Sequence, residues 1–276
     1  MCDLKSCNTS TDTRPLPKAS SEQRRQFLKG MLSLPLAVVL ADPLLAQAAG
    51  DRTQAVQRTL SGGTEVGAHL AMPKGEGPFP AVVLIHEWWG LNDQIKAVAA
   101  DLAEQGFIAL AVDLYGGGVG TTRDEAMALK NGVNEGVATE TLVGWIGWLR
   151  NHEGCTGKVG TLGWCFGGGW SLDASLAVPV DATIIYYGNV RRTPEQLAAL
   201  KSPVLGHFGT LDKSIDEAMV GSFERAMAAA GKTDLRVHWY VADHAFANPT
   251  GARYDEENAA LAWSRSLSFL YQHLSG

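Results

Sequence analysis

The run Lys158-Val159-Gly160-Thr161-Leu162-Gly163-Trp164-Cys165-Phe166-Gly167-Gly168-Gly169-Trp170 constrains this chain more than any other stretch. A short apolar segment stops at Cys165, enters three consecutive glycines and continues as helix. Glycines two before and two after a reactive side chain permit a sharp strand-to-helix turn in which backbone segments approach closely. Gly163 and Gly167 hold those places, so the pattern reads as a nucleophile elbow with cysteine at its tip. Such a turn aims the first amides of its helix at the site. The Phe166 N–H can then stabilise an oxyanion, and the helix N-terminus favours negative charge on the sulfur. The plainer reading makes Cys165 a small buried hydrophobe among packing glycines.

Strand and helix signals alternate on both sides of the elbow. Val56 to Met72 alternates apolar and polar residues around Ser61-Gly62-Gly63-Thr64, which predicts an antiparallel hairpin. Ala81 to His86 is continuous and β-branched, as in a strand buried on both faces. A helix pattern from Asp93 to Gln105 ends at Gly106, and Phe107 to Val112 is the next strand. Arg123 to Arg150 reads as mostly helical. Beyond the elbow, strands are expected at Ala182–Tyr187, Val204–Phe208 and Leu235–Val241, with helices at Pro194–Leu200, Ile215–Ala230 and Glu256–His273. The alternation predicts an α/β fold with a mainly parallel, doubly wound sheet in a single domain, and the strand ends carry the chemistry.

The first 48 residues read differently. Residues 1–22 are polar, lack apolar periodicity and are expected to be disordered. Arg24-Arg25-Gln26-Phe27-Leu28-Lys29 then precedes an apolar run from Met31 to Leu40 and the small-residue stretch Ala46-Gln47-Ala48. That order is the order of a secretory signal peptide, and the paired arginines resemble the twin-arginine type. Pro35 and Pro43 speak against a helix that opens the domain, and the apolar run is shorter than the roughly 20 residues a membrane span needs. The expectation is a leader over 1–48, a partner in the twin-arginine export machinery, a domain over 49–276, and a periplasmic mature chain with no stable membrane span.

Composition narrows the function classes. The formal charge of −6 includes six Lys/Arg and four Asp/Glu before residue 49, so the domain itself carries 17 against 25, or −8. An acidic body argues against nucleic acid as a partner. Cys2 and Cys7 fall in the leader, leaving Cys155 and Cys165. A strand between those two would hold them about 20 Å apart, beyond the roughly 7 Å that a disulfide tolerates between Cα atoms. Cys165 is therefore expected as a free thiol.

An elbow nucleophile needs a base and a group to orient it, and in this kind of sheet the acid follows first and the histidine second. Asp212 ends His207-Phe208-Gly209-Thr210-Leu211-Asp212, and His244 lies in Asp243-His244-Ala245-Phe246 after the last strand. The other histidines precede the nucleophile, lie within strands or sit in the terminal helix. Glu87 directly follows the Ala81–His86 strand, where its carboxylate would stand beside Cys165 and could hold its proton; a cap or an ion pair is its structural alternative. The Trp88 N–H would join that of Phe166 in an oxyanion hole. Trp88, Trp89, Tyr115, Trp164 and Phe246 either wall an apolar pocket or belong to the core.

His-Glu-Trp-Trp-Gly, Asp-Leu-Tyr, Gly-Trp-Cys-Phe-Gly-Gly, Gly-Thr-Leu-Asp and Asp-His-Ala-Phe-Ala together resemble the dienelactone hydrolase family in order and spacing. The resemblance covers essentially all of residues 55–276 and implies the α/β-hydrolase fold. It implies Cys165, Asp212 and His244 as the triad, Glu87 as partner of the resting thiol, and hydrolysis of a small-molecule ester or lactone, with or without a carboxylate, without cofactor or metal. It also implies Arg123 as a carboxylate contact. Two positions depart from the family pattern: Met127 replaces a tyrosine and Asn248 replaces a second arginine, with Arg253 as a substitute from the same loop. The alternatives are a general carboxylesterase or thioesterase of the same fold and a non-catalytic periplasmic binding protein. A thiol-redox protein would need a resolving cysteine, which Cys155 cannot supply.

Overall fold

The structure is a computed structural model that describes residues 17–30 and 32–275. Cys2, Cys7, Met31 and most of the polar segment expected to be disordered lie outside the described residues. Eight strands among those described form one sheet, in the order β1-β2-β4-β3-β5-β6-β7-β8. Their ranges are β1 Gln54–Thr59, β2 Glu65–Ala71, β3 Phe79–Ile85, β4 Ile108–Val112, β5 Cys155–Trp164, β6 Ala182–Tyr186, β7 Val204–Gly209 and β8 Leu235–Tyr240. β2 runs antiparallel to both its neighbours, and β3 to β8 are mutually parallel.

β3 shows why the sheet is buried on both sides. Ala81 to Ile85 are completely buried, and successive side chains of a strand point to opposite faces. Val82 and Leu84 pack with Val98 and Leu102 of α4 (Asp93–Glu104) and with Phe269 and Leu270 of the C-terminal helix (Glu256–Leu274). Ala81, Val83 and Ile85 pack on the other face with Leu142, Trp145 and Ile146 of α6 (Glu135–Arg150). Each such aliphatic side chain removed from water contributes about 1.5–3 kcal/mol. Chain direction reverses here as well: β4 lies on one side of β3 and β5 on the other, so the ends of β3 and β5 flank a topological switch point, the place where sheets of this kind bind ligands.

Arg123–Arg150 is mostly helical, as the sequence predicts, and forms two helices, α5 (Arg123–Asn131) and α6. Gly132 ends the first, and the Asn134 side chain accepts from Val137 N to start the second, so a helix stop and a helix start lie two residues apart. The segment before residue 51 is more structured than its composition suggests. α1 (Ser21–Leu28) begins with a capping box between Ser20 and Gln23, inside the stretch expected to be disordered. α2 (Leu36–Ala41) and α3 (Pro43–Gly50) follow. Pro35 and Pro43 do not prevent these helices but open them, since a helix start leaves its first N–H groups without intrahelical partners in any case. Leu45, Ala46 and Ala49 are buried, and Leu45 and Ala49 belong to the same apolar cluster as α4. No helix among the described residues is long and apolar enough to cross a membrane.

Candidate active site

Register places the elbow beside the end of β3. Ile85 pairs with Gly163, so Glu87 and Cys165 each stand two residues beyond a paired position. Cys165 caps α7 (Phe166–Ala177) with φ 52° and ψ −113°, a left-handed φ that side-chain-bearing residues rarely adopt and that clusters at functional sites. The glycines explain how the turn closes. A Cβ on Gly163 would overlap the Gly167 carbonyl, and one on Gly167 would overlap the Ile85 carbonyl. α7 is held behind the turn by a buried hydroxyl chain: Ser171 Oγ donates to Thr161 Oγ1 (2.9 Å) and Ser175 Oγ donates to the Ser171 carbonyl (2.8 Å).

The loops after β7 and β8 bring the other two groups in. Gly209 and Tyr240 are paired at the ends of those strands, with Asp212 and His244 just beyond. Asp212 Oδ1 accepts from Ser214 N (2.7 Å) and Ile215 N (3.0 Å), which leaves Oδ2 to His244 Nδ1 at 2.6 Å. An ionised carboxylate only accepts, so Nδ1 carries the hydrogen and Nε2 faces Cys165 Sγ at 3.2 Å. Burial works against a charged His244, but its interaction with Cys165 and its hydrogen bond to Asp212 outweigh burial and carry the imidazole pKa well above its ordinary value. Burial alone would raise the Asp212 pKa; the hydrogen bond and charge of His244, with the Ile215 and Ser214 amides, lower it. Arg253 pairs with Asp243 at 3.7 Å, so it braces the His244 loop.

Glu87 is buried, as its position after β3 predicts, but its partners are not those expected from the sequence. Oε1 accepts from Tyr187 Oη (3.2 Å) and Oε2 from Asn248 Nδ2 (2.5 Å), while the Cys165 sulfur faces His244. Burial raises the Glu87 pKa, against the lowering effect of Asn248, His244 and Tyr187. Tyr187 itself has φ 36° and its ring meets the His244 ring edge-on at 5.2 Å. The sequence places Tyr187 last in the strand that starts at Ala182. Its place at a strand end was the signal available. His86, set aside because it precedes the nucleophile, is fully buried. Leu114 N donates to its Nε2 (3.2 Å), so its Nδ1–H donates to the Glu87 carbonyl (2.6 Å). Across a trans peptide the Trp88 N–H then points away from His86.

The remaining expected contacts divide. Cys165, Phe166, Tyr187 and His244 line one cleft together with Arg191, Arg192 and Lys213; Arg192 is tied to Asp173 (2.5 Å). Arg123 is exposed on the first turn of α5 and does not line that cleft. Tyr115 packs against His86 and Phe166 (ring centroids 4.6 and 5.5 Å), and Trp89 against Trp88 (4.9 Å). Phe246 is fully buried against Tyr187 and Tyr240, a core aromatic rather than a pocket wall. Neither Cys155 nor Cys165 is in a disulfide.

Residues 66–274 match the family model of the dienelactone hydrolase family. The chain belongs to the dienelactone hydrolase family. Like that family it is a hydrolase of carboxylic ester or lactone bonds, built on the α/β-hydrolase fold. It is 28% identical to a carboxymethylenebutenolidase of a Pseudomonas species over 79% of this chain and 94% of that protein. It is 29% identical to a Saccharolobus solfataricus protein assigned as a carboxymethylenebutenolidase, over 76% of this chain and 95% of that one. A solved Klebsiella pneumoniae structure assigned as a dienelactone hydrolase superposes with a TM-score of 0.71 at 27% identity, over 80% of this chain and 99% of that one.

Proposed function

We propose that this hydrolase cleaves a small ester or lactone of the carboxymethylenebutenolidase type through an acyl-thioester on Cys165. The observation that carries the reading is the relay from Asp212 Oδ2 through His244 to Cys165 Sγ, at 2.6 and 3.2 Å. The sulfur attacks the carbonyl carbon, forming the C–S bond, while the thiol proton passes to His244 Nε2. The displaced carbonyl electron pair rests on an oxygen facing the Trp88 and Phe166 amides. Collapse of that intermediate breaks the C–O bond, and His244 delivers its proton to the leaving oxygen. Water then attacks the thioester, His244 takes its proton and returns it to the sulfur, and the carboxylic acid departs. Glu87 is a second acceptor for the thiol proton, and its raised pKa suits a group that holds a proton between turnovers.

The leader extends the proposal to location. Residues 1–48 direct export by the twin-arginine route and are removed near Ala48, and the mature enzyme works in the periplasm. The catalytic part is tested with Cys165→Ala on aryl acetate esters. Loss of at least about a thousandfold in kcat with an unchanged unfolding profile is expected; hydrolysis at the wild-type rate would overturn the scheme.

A further inference from the structure

The cleft that Cys165 and His244 line measures about 1380 Å³, room for a substrate that extends well past its scissile carbonyl. No described residue before Lys130 lines it, so its walls stay in place when the leader is removed. Four cations line it: Lys130, Arg191, Arg192 and Lys213. Two of them stand on segments that carry or support the triad. Lys213 directly follows Asp212, whose Oδ2 holds His244 Nδ1 at 2.6 Å. Arg191 follows Gly188 and Asn189, which pack on the first turn of α7 just behind Cys165. A Cβ on Gly188 would overlap the Gly168 carbonyl carbon, and one on Gly169 would meet the Asn189 carbonyl oxygen at 3.4 Å.

The backbone at Arg191 is fixed from both sides. Its N–H donates to Asn189 Oδ1 (2.9 Å), and its carbonyl accepts from Arg192 Nη1 (2.7 Å). Arg192 spends the rest of its guanidinium on Asp173, from Nε at 2.9 Å and Nη2 at 2.5 Å, which makes it a neutralised brace. The Arg191 and Lys213 side chains, by contrast, are exposed and have no hydrogen-bond or ion-pair partner among the described residues. The acids that line the cleft are Glu135, Asp173 and Asp216. Asp173 is taken by Arg192, and Asp216 caps the helix Glu217–Ala229 by accepting from Met219 N (2.8 Å). Two unpaired cations thus line the reaction cleft of a chain whose formal charge is −6, a local reversal of sign that draws anions to it.

We propose that Arg191 and Lys213 are the specificity-determining residues of this cleft, holding an anionic group of the substrate, a carboxylate or another singly charged oxyanion, while the ester carbonyl lies over Cys165. The proposal rests on the ester-hydrolase reading above and adds the residues that read the substrate's charge. Arg123, the contact expected from the sequence, stands outside the cleft, and Asn248 spends its amide on Glu87. The negative end of a substrate therefore meets its cations on the loops after β6 and β7. A guanidinium offers paired donors that match the two oxygens of a carboxylate, and an ammonium adds a mobile point charge. Both side chains stand in water, so the attraction is that of exposed charges and is screened by salt.

The test uses the full-length chain and the 4-nitrophenyl esters of hexanoate and adipate, the latter as the half-ester, two acyl chains of equal carbon number that differ in a terminal carboxylate. Wild type is expected to favour the adipate half-ester by about tenfold in kcat/KM at low salt, with the gain in KM rather than kcat, and to lose most of that preference in concentrated NaCl. Arg191→Ala combined with Lys213→Ala should bring the ratio to about one, Arg191→Lys should keep part of it, and Arg123→Ala should leave it in place. Equal rates on the two esters in wild type, a ratio that survives the double substitution, or a ratio that Arg123→Ala abolishes overturns the proposal. Binding separates this result from the catalytic reading: calorimetric titration of Cys165→Ala with monomethyl adipate at low salt should show one saturable site that disappears when Arg191→Ala and Lys213→Ala are added. If no ester is turned over but this site behaves in that way, the catalytic reading fails and the anion subsite stands. If esters are hydrolysed and neither the preference nor the site is found, the anion subsite alone fails.

Discussion

Asn248 Nδ2 donates to Glu87 Oε2 at 2.5 Å, joining positions 161 residues apart in the chain. A neutral amide satisfies that oxygen without supplying the positive charge that an arginine would bring. Asn248→Ala is therefore expected to raise the Glu87 pKa further and to move the acidic limb of kcat/KM upward by about one pH unit, roughly the loss of one hydrogen bond to a charged group. Asn248→Arg should move it down. The pH profiles of both variants check this, and a limb that stays in place in both would detach Glu87 from the reaction.

Glu87 also links stability to pH. Its folded-state pKa is raised above 4.5 because burial disfavours the charged form. An acid of this kind is no burden below its unfolded pKa, where both states are protonated. It becomes destabilising as pH rises from the ordinary value to the folded one, because the unfolded chain ionises first. Glu87→Gln removes that penalty. The variant should melt about 3 °C higher than wild type at pH 8, with the gap closing near pH 4, measured by thermal unfolding at both pH values. A gap of the same size at both would show that the effect is packing rather than charge.

The elbow is intolerant of volume. Because a methyl at residue 163 would overlap the Gly167 carbonyl, Gly163→Ala is expected to cost about 3 kcal/mol or more, or to yield insoluble protein. Gly147, on the surface of α6, has nothing near its would-be Cβ, so Gly147→Ala should be neutral or stabilising by up to about 1 kcal/mol. Chemical unfolding of the pair checks the contrast.

Arg24 and Arg25 keep side-chain exposures of 44% and 63% in α1, although Arg24 also meets Asp42. Replacing both with lysine preserves the charge and should strand the precursor in the cytoplasm. Cell fractionation reads the outcome directly. Export at the wild-type level would remove the twin-arginine assignment.

The local pattern of residues determined most of the architecture. Continuous apolar runs ended by glycine or an acid located the strands of the sheet, because a strand buried on both faces can be written in no other way. Cys165, Asp212 and His244 were legible because each follows such a run, in an order that places their loops along one edge of the sheet. Tertiary structure alone decided what Glu87 touches, that Arg123 stands outside the cleft, that Phe246 is core, and that Leu45 packs with α4. Those outcomes depend on register and strand order between segments far apart in sequence. Local periodicity encodes which face a side chain takes, but not which distant residue will meet it there.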